Sequence, residues 1–167
     1  MKIAVLSDIH DNIWNLEKVL SLLKGQVEAL IYCGDFCAPF IPPKLSILDI
    51  PIYACLGNND EDQIGLLKQG GDKFNWTFLA EEYGQIELDG EKIAFCHYPK
   101  LGELLAKSGE YDAVFHGHTH NSLNKTYGKT LLVNPGAVCG IQKGKPGVGS
   151  YAIYDTKTNT AEIVLIK

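Results

Sequence analysis

The sequence reads as an α/β protein built from two packed, mixed β-sheets flanked by helices. Its apolar segments are short, rich in β-branched residues and bounded by turn residues, as buried strands are. Early in the chain they alternate with stretches of helical period, which implies a parallel sheet with right-handed crossovers. Past residue 84 the pattern turns to hairpins and a strand-rich end, so the second sheet is expected to be the more antiparallel one.

Residues 3–6 are the first expected strand. Residues 12–25 follow as a helix, because Ile13, Leu16, Val19, Leu20 and Leu23 recur at helical spacing and Gly25 stops it. Asn12 suits its N-cap. Ala29–Cys33 is the second strand, and a shorter helical piece at 41–48 is opened by Pro42-Pro43 and closed before Pro51. Residues 52–56 form the third strand, and a short helix follows Asp60 and runs to Gly70. Residues 85–88 and 92–97 flank the turn Asp89-Gly90, a strong hairpin signal. A helix at about 101–108 leads to a buried strand at 113–116. Strands at 122–127, 130–133, 149–154 and 161–166 complete the chain, with turns at Gly128-Lys129 and 155–160. No repeat, low-complexity tract or linker interrupts 1–167, so a single domain is expected.

Composition excludes several functions. The chain has 167 residues, 46% of them hydrophobic, and a net charge of −5 from 15 Lys+Arg against 20 Asp+Glu. A chain of this length buries roughly 70% of its unfolded surface and needs no structural metal, so a metal here is expected to be catalytic. The acidic balance argues against duplex nucleic acid and against an anionic membrane surface. No apolar run approaches the roughly 18 residues of a membrane-spanning helix, and the opening run is cut by Ser7 and Asp8 too early for a signal peptide. A cytoplasmic protein is expected. The five cysteines are odd in number and form no C-x-x-C pair, which reads as reduced cytosolic thiols.

The informative residues stand where apolar runs end. The first run ends in Ser7-Asp8-Ile9-His10, the second in Gly34-Asp35 and the third in Gly57-Asn58-Asn59-Asp60. The hairpin strand ends in His97, and the next buried strand in His116-Gly117-His118-Thr119-His120. In an open α/β sheet, ligands bind outside the carboxyl ends of the strands. All five histidines of the chain fall at such ends. Asp8 and His10 are two apart, so on an extended strand end their side chains leave on the same side. Carboxylate, imidazole and amide donors suit Mn, Fe, Ni, Co or Zn.

These motifs resemble the calcineurin-like metallophosphoesterases, and within them the small single-domain phosphodiesterases of bacteria and archaea. The resemblance runs through Asp8-x-His10, Gly34-Asp35, Gly57-Asn58-x-Asp60, His97, Gly117-His118-x-His120 and Asn134-Pro135-Gly136. It implies a metallophosphoesterase-like β-sandwich with two divalent transition-metal ions, Mn²⁺ first among them. Asp8, His10 and His120 would bind one ion and Asn58, His97 and His118 the other, with Asp35 bridging. Water activated between the ions would attack phosphorus in line. Asn58 would also donate its amide to the substrate phosphate. The implied activity is hydrolysis of a small phosphodiester.

Two positions depart from the wider family. Asn59 stands where many members carry a histidine that helps protonate the leaving oxygen, and an amide cannot do so. This argues against efficient monoester hydrolysis. Tyr98-Pro99 follows His97 where glycine is frequent, and Tyr98 is expected to narrow the pocket or stack on a base. His116 reads as a packed or supporting histidine rather than a ligand. Cys33, Cys55 and Cys96 read as core thiols, with Cys139 less settled because its glycine-rich loop lies near the site. Trp14 and Trp76 read as packing residues, the latter in a mid-chain loop, and Lys143 and Lys145 as a solvated loop. The alternatives are a phosphomonoesterase, or a protein-binding scaffold of the same fold, as in the retromer complex. The resemblance leaves room for a homodimer.

Overall fold

The computed structural model describes residues 1–76 and 82–167. Four parallel strands, β1 (Lys2–Leu6), β2 (Ala29–Cys33), β3 (Ile52–Cys55) and β4 (Phe74–Trp76), form the body of the first sheet. Helices α1 (Ile13–Leu23), α2 (Ile41–Leu45) and α3 (Gln63–Gly70) connect them. Asn12 caps α1 as expected, its side chain accepting from Asn15 N at 3.1 Å. The expected helix at 41–48 divides into α2 and a 3₁₀ turn at Ser46–Leu48. Strand β4 was not legible: three residues are too few to show a period. Trp76 therefore lies on an edge strand rather than in a loop, stacked on Phe74 at 4.8 Å.

The second sheet contains β5 (Gly84–Leu88), β6 (Glu91–Phe95), β7 (Ala113–Phe115), β8 (Leu123–Tyr127) and β9 (Thr130–Asn134), in the order β5-β6-β7-β9-β8. Helix α4 (Pro99–Ser108) carries the chain from β6 to β7. Asp89 and Gly90 both take positive φ, 53° and 84°, which is the mirror-image turn a two-residue hairpin needs. The sheet is mixed and, as expected, the more antiparallel of the two. Its centre, β6-β7-β9, is parallel, and only the outer pairs β5-β6 and β8-β9 are antiparallel. Hairpin turns are visible in sequence, whereas the return of β9 beside β7 is not. Lys143 and Lys145 are exposed to solvent, as expected, Lys143 in the turn and Lys145 on the second strand of a small hairpin of β10 (Ile141–Gln142) and β11 (Lys145–Pro146). The last strands, β12 (Ser150–Asp155) and β13 (Thr160–Leu165), return to the first sheet, where β12 pairs antiparallel with β1.

Side-chain alternation builds three apolar layers. Along β1, Ala4 and Leu6 face the helices while Ile3 and Val5 enter the space between the sheets. From the other sheet, Ile93, Phe95, Phe115, Leu131 and Val133 meet them there. The intervening Ala94, Val114 and Leu132 form a third cluster with Ala106 of α4. Strands buried on both faces read as unbroken apolar runs, and this is why they were legible. Trp14 is the exception among residues expected to pack: it stands 71% exposed on α1.

Candidate metal centre

Strands β1, β2, β3, β6 and β7 all stop short of the site residues, and loops carry those residues inward. The expectation that Asp8 and His10 share a side through an extended strand end is not met, because β1 ends at Leu6. Asp8, His10, Asp35, His118 and His120 instead have φ of 55°, 43°, 64°, 71° and 57°. The left-handed region costs an L-residue roughly 1–2 kcal/mol. Such strain persists only where the surroundings over-determine it, and it concentrates at functional sites.

The surroundings here are loops laced to each other. Asp8 N donates to Gly34 O at 3.0 Å, His10 N to Asp35 O at 3.2 Å and Gly117 N to His97 O at 3.1 Å. Buried Asp60 ties two loops with its carboxylate, accepting from Asp35 N at 3.0 Å, Cys37 N at 2.8 Å and Gly57 N at 2.7 Å. Burial pushes the Asp60 carboxyl up, with these amide donors opposing. Asn134 holds the histidine loop, donating to Gly117 O at 2.8 Å and Thr119 Oγ1 at 3.0 Å. Gly117 allows the closest approach, since a Cβ there would collide with Ser7 Oγ and lie 2.8 Å from Asp8 Oδ2.

All seven residues expected to ligate metal come together, in two overlapping sets. In the first, His120 Nε2 lies 3.1 Å from His10 Nε2 and 3.3 Å from Asp8 Oδ1. In the second, Asn58 Oδ1 lies 3.0 Å from His97 Nε2 and 2.8 Å from His118 Nδ1, and those two nitrogens are 3.2 Å apart. One atom belongs to both sets: Asp35 Oδ2 is 3.4 Å from His10 Nε2 and 3.5 Å from His97 Nε2.

The donor chemistry fits cations. His97 Nδ1 donates to Cys33 O at 2.7 Å and His120 Nδ1 to Ile141 O at 2.6 Å, which leaves each Nε2 to face the site. His97 Nε2 thereby faces Asn58 Oδ1 at 3.0 Å and Asp35 Oδ2 at 3.5 Å. Asp8 Oδ2 accepts from Ser7 Oγ at 2.5 Å and His118 N at 3.0 Å. Its other oxygen, Oδ1, is buried without a hydrogen-bond donor. Nitrogen and oxygen ligand atoms converging around a buried carboxylate oxygen are what a divalent ion satisfies.

Charge in the pocket is coupled to protons. Burial would raise the Asp8 carboxyl, but His10, His120 and Ser7 outweigh it and hold Asp8 below the usual carboxylate range. Asp8 and then Cys139 beside its ring push His120 up to about 10. Near neutral pH a cation must therefore displace the His120 proton. Metal affinity is expected to rise by about tenfold per pH unit around neutrality, with about one proton released per chain. Calorimetry in buffers of different ionisation enthalpy measures that release; uptake without proton release would contradict it.

Other residues find roles that spacing did not show. Asn59 braces the shared carboxylate, donating its backbone N–H to Asp35 Oδ1 at 2.9 Å and its amide to Oδ2 at 2.8 Å. His116 is buried beside Asn134 rather than among the donors, and desolvation pulls its pKa down. Cys33, Cys55 and Cys96 are buried thiols. Cys37, which no motif marked, lies 3.4 Å from His10 Nδ1, and burial pushes its thiol up to about 12. Cys139 Sγ lies 3.8 Å from His120 Nδ1. Tyr98 is 49% exposed, its ring edge-on to His97 at 5.2 Å and 5.3 Å from His118.

A two-sheet α/β sandwich whose strand-end loops gather these donors around one carboxylate has the architecture of a metallophosphoesterase. A profile of the calcineurin-like phosphoesterase superfamily domain matches residues 1–159. Phosphodiesterase MJ0936 of Methanocaldococcus jannaschii is 36% identical over 99% of both chains. The solved structure of an archaeal phosphodiesterase superposes with a TM-score of 0.87 at 30% identity, again over 99% of each chain. Vps29 of Chaetomium thermophilum shares the fold, with a TM-score of 0.71 at 15% identity over 99% of this chain and 92% of that one. The chain belongs to the calcineurin-like phosphoesterase superfamily.

Proposed function

We propose that the protein is a phosphodiesterase that hydrolyses a small phosphodiester at a centre of two divalent transition-metal ions, Mn²⁺ in preference to Fe, Ni, Co or Zn. The observation that carries this reading is the placement of Asp35 Oδ2, within 3.5 Å of one histidine from each donor set. A carboxylate oxygen so placed is what two ions about 3.5–4 Å apart require as a shared anionic ligand. Asp8, His10 and His120 would hold the first ion, and Asn58, His97 and His118 the second.

Bound there, the ions would supply Lewis-acid charge to the phosphoryl oxygens and activate water for attack. The protein's own groups do the positioning. Asn58 turns Oδ1 toward His97 and His118, so its amide N–H is available to a phosphate oxygen. Two carboxylates against two divalent ions leave the pocket positive, which suits an anionic diester despite the chain's negative total. Tyr98 stands as a wall beside the second donor set.

Asn59 supports diester over monoester chemistry. It is committed to Asp35 and has no proton to give a poor leaving group. The name of the M. jannaschii relative points the same way. A scaffold reading is disfavoured, since a surface that only binds protein has no use for seven converging donors. Among the described residues no helix is long and apolar enough to cross a membrane. A cytoplasmic enzyme without duplex nucleic-acid partners accords with the composition, and the family resemblance leaves room for a homodimer. The test is a metal-supplemented comparison of an activated aryl phosphodiester with the matching monoester. The diester is expected to be cleaved at least about tenfold faster with Mn²⁺; a monoester preference would overturn the assignment.

A further inference from the structure

We propose that Tyr98 is a stacking platform that selects phosphodiesters carrying a nucleobase, the base lying on the tyrosine ring while the phosphate sits at the donor sets. The inference deepens the phosphodiesterase reading above and rests on it. The two donor sets differ in how far solvent reaches them. Asp8 is buried and His10 and His120 are half-buried, whereas Asn58, Asn59, His118 and Thr119 are exposed. The organic part of a bound ester therefore leaves the site past the second set. Tyr98 stands on that side, its ring centroid 5.2 Å from that of His97 and 5.3 Å from that of His118.

The backbone under this ring is fixed. Tyr98 caps α4 with φ −84° and ψ 133°, the extended conformation that a following proline imposes. Its carbonyl accepts from Gly102 N at 3.1 Å and from Cys96 Sγ at 3.5 Å. A tyrosine has only two side-chain torsions to order, so it offers a large amphipathic surface at low entropic cost. Although it touches two site histidines, Tyr98 remains 49% exposed, which leaves aromatic surface for a ligand to cover. Every nucleobase has a π-face, so stacking rewards a base of any identity, whereas an alkyl ester gains nothing from it. Trp14 is the natural control, an exposed aromatic on α1 instead of α4.

Two probes that share phosphate and sugar isolate the base: adenosine monophosphate and ribose phosphate, each titrated calorimetrically into Mn²⁺-loaded protein. The wild type is expected to bind the nucleotide about tenfold or more tighter than the sugar phosphate. Tyr98→Phe and Trp14→Ala should keep that ratio within about twofold, and Tyr98→Leu should reduce it to about twofold or less. Hydrolysis should follow binding: the ratio of kcat/KM for thymidine p-nitrophenyl phosphate over methyl p-nitrophenyl phosphate, which share a leaving group, should fall by about tenfold in Tyr98→Leu alone. Equal binding of the two probes by the wild type, a ratio that survives Tyr98→Leu, or one that is lost in Tyr98→Phe would overturn the proposal. Failure of the wild type to hydrolyse any diester with Mn²⁺ would instead remove the phosphodiesterase reading, and the binding ratios would still decide Tyr98.

Discussion

Asp35→Asn is expected to lower diester hydrolysis by about 10³-fold or more, equivalent to roughly 4 kcal/mol of transition-state stabilisation. Asp35 is 1% exposed and its Oδ2 faces histidines of both donor sets, so removing one negative charge would weaken both ions together. A change confined to one set would spare the other ion. The substitution keeps the shape of the side chain, and the loop retains the hydrogen bond from Asp35 N to Asp60. The melting temperature is therefore expected to stay within a few degrees of wild type while bound metal falls. Parallel measurement of hydrolysis, metal content and thermal unfolding checks this. Normal activity in Asp35→Asn would make the bridging role wrong.

Asp60→Ala should act through the frame instead of the ions. Asp60 lies 2% exposed, and its carboxylate accepts the N–H groups of Asp35, Cys37 and Gly57. Truncation takes the partner from three amide donors, one buried and two part-buried, at a cost of about 3 kcal/mol. For a chain of this size that lowers the melting temperature by roughly 6–12 °C. Asp35 and Asn58 sit on the two loops so released, so activity should fall by about 10²-fold even where the variant remains folded. Calorimetry with hydrolysis measured well below the transition separates the two effects. An unchanged melting temperature would show that the amides find other partners.

The strands were legible because apolar runs buried on both faces leave a plain mark, as at Ala29–Cys33, and α1 because its buried residues repeat at helical spacing. The parallel centre of the second sheet was not, because pairing β7 with β9 depends on contacts far apart in sequence. All seven donors were named from motifs at strand ends. Their convergence had a different cause from the one spacing offered. Asp8 and His10 meet through left-handed backbone held by neighbouring loops, and no residue pattern encodes a positive φ at Asp or His. Asn59 shows the same limit: its substitution is visible in sequence, but its grip on both oxygens of Asp35 appears only once the loops are folded. Cys37 and Cys139 approach the first histidine pair from separate loops, so no local spacing marks them.

A dinuclear centre requires two ions sharing Asp35, and counting metal tests that directly. Protein loaded with Mn²⁺, freed of excess by gel filtration and measured by elemental analysis, should carry two ions per chain, and Asp35→Asn at most one. One ion or none in the wild type, or two retained in Asp35→Asn, would contradict the dinuclear centre.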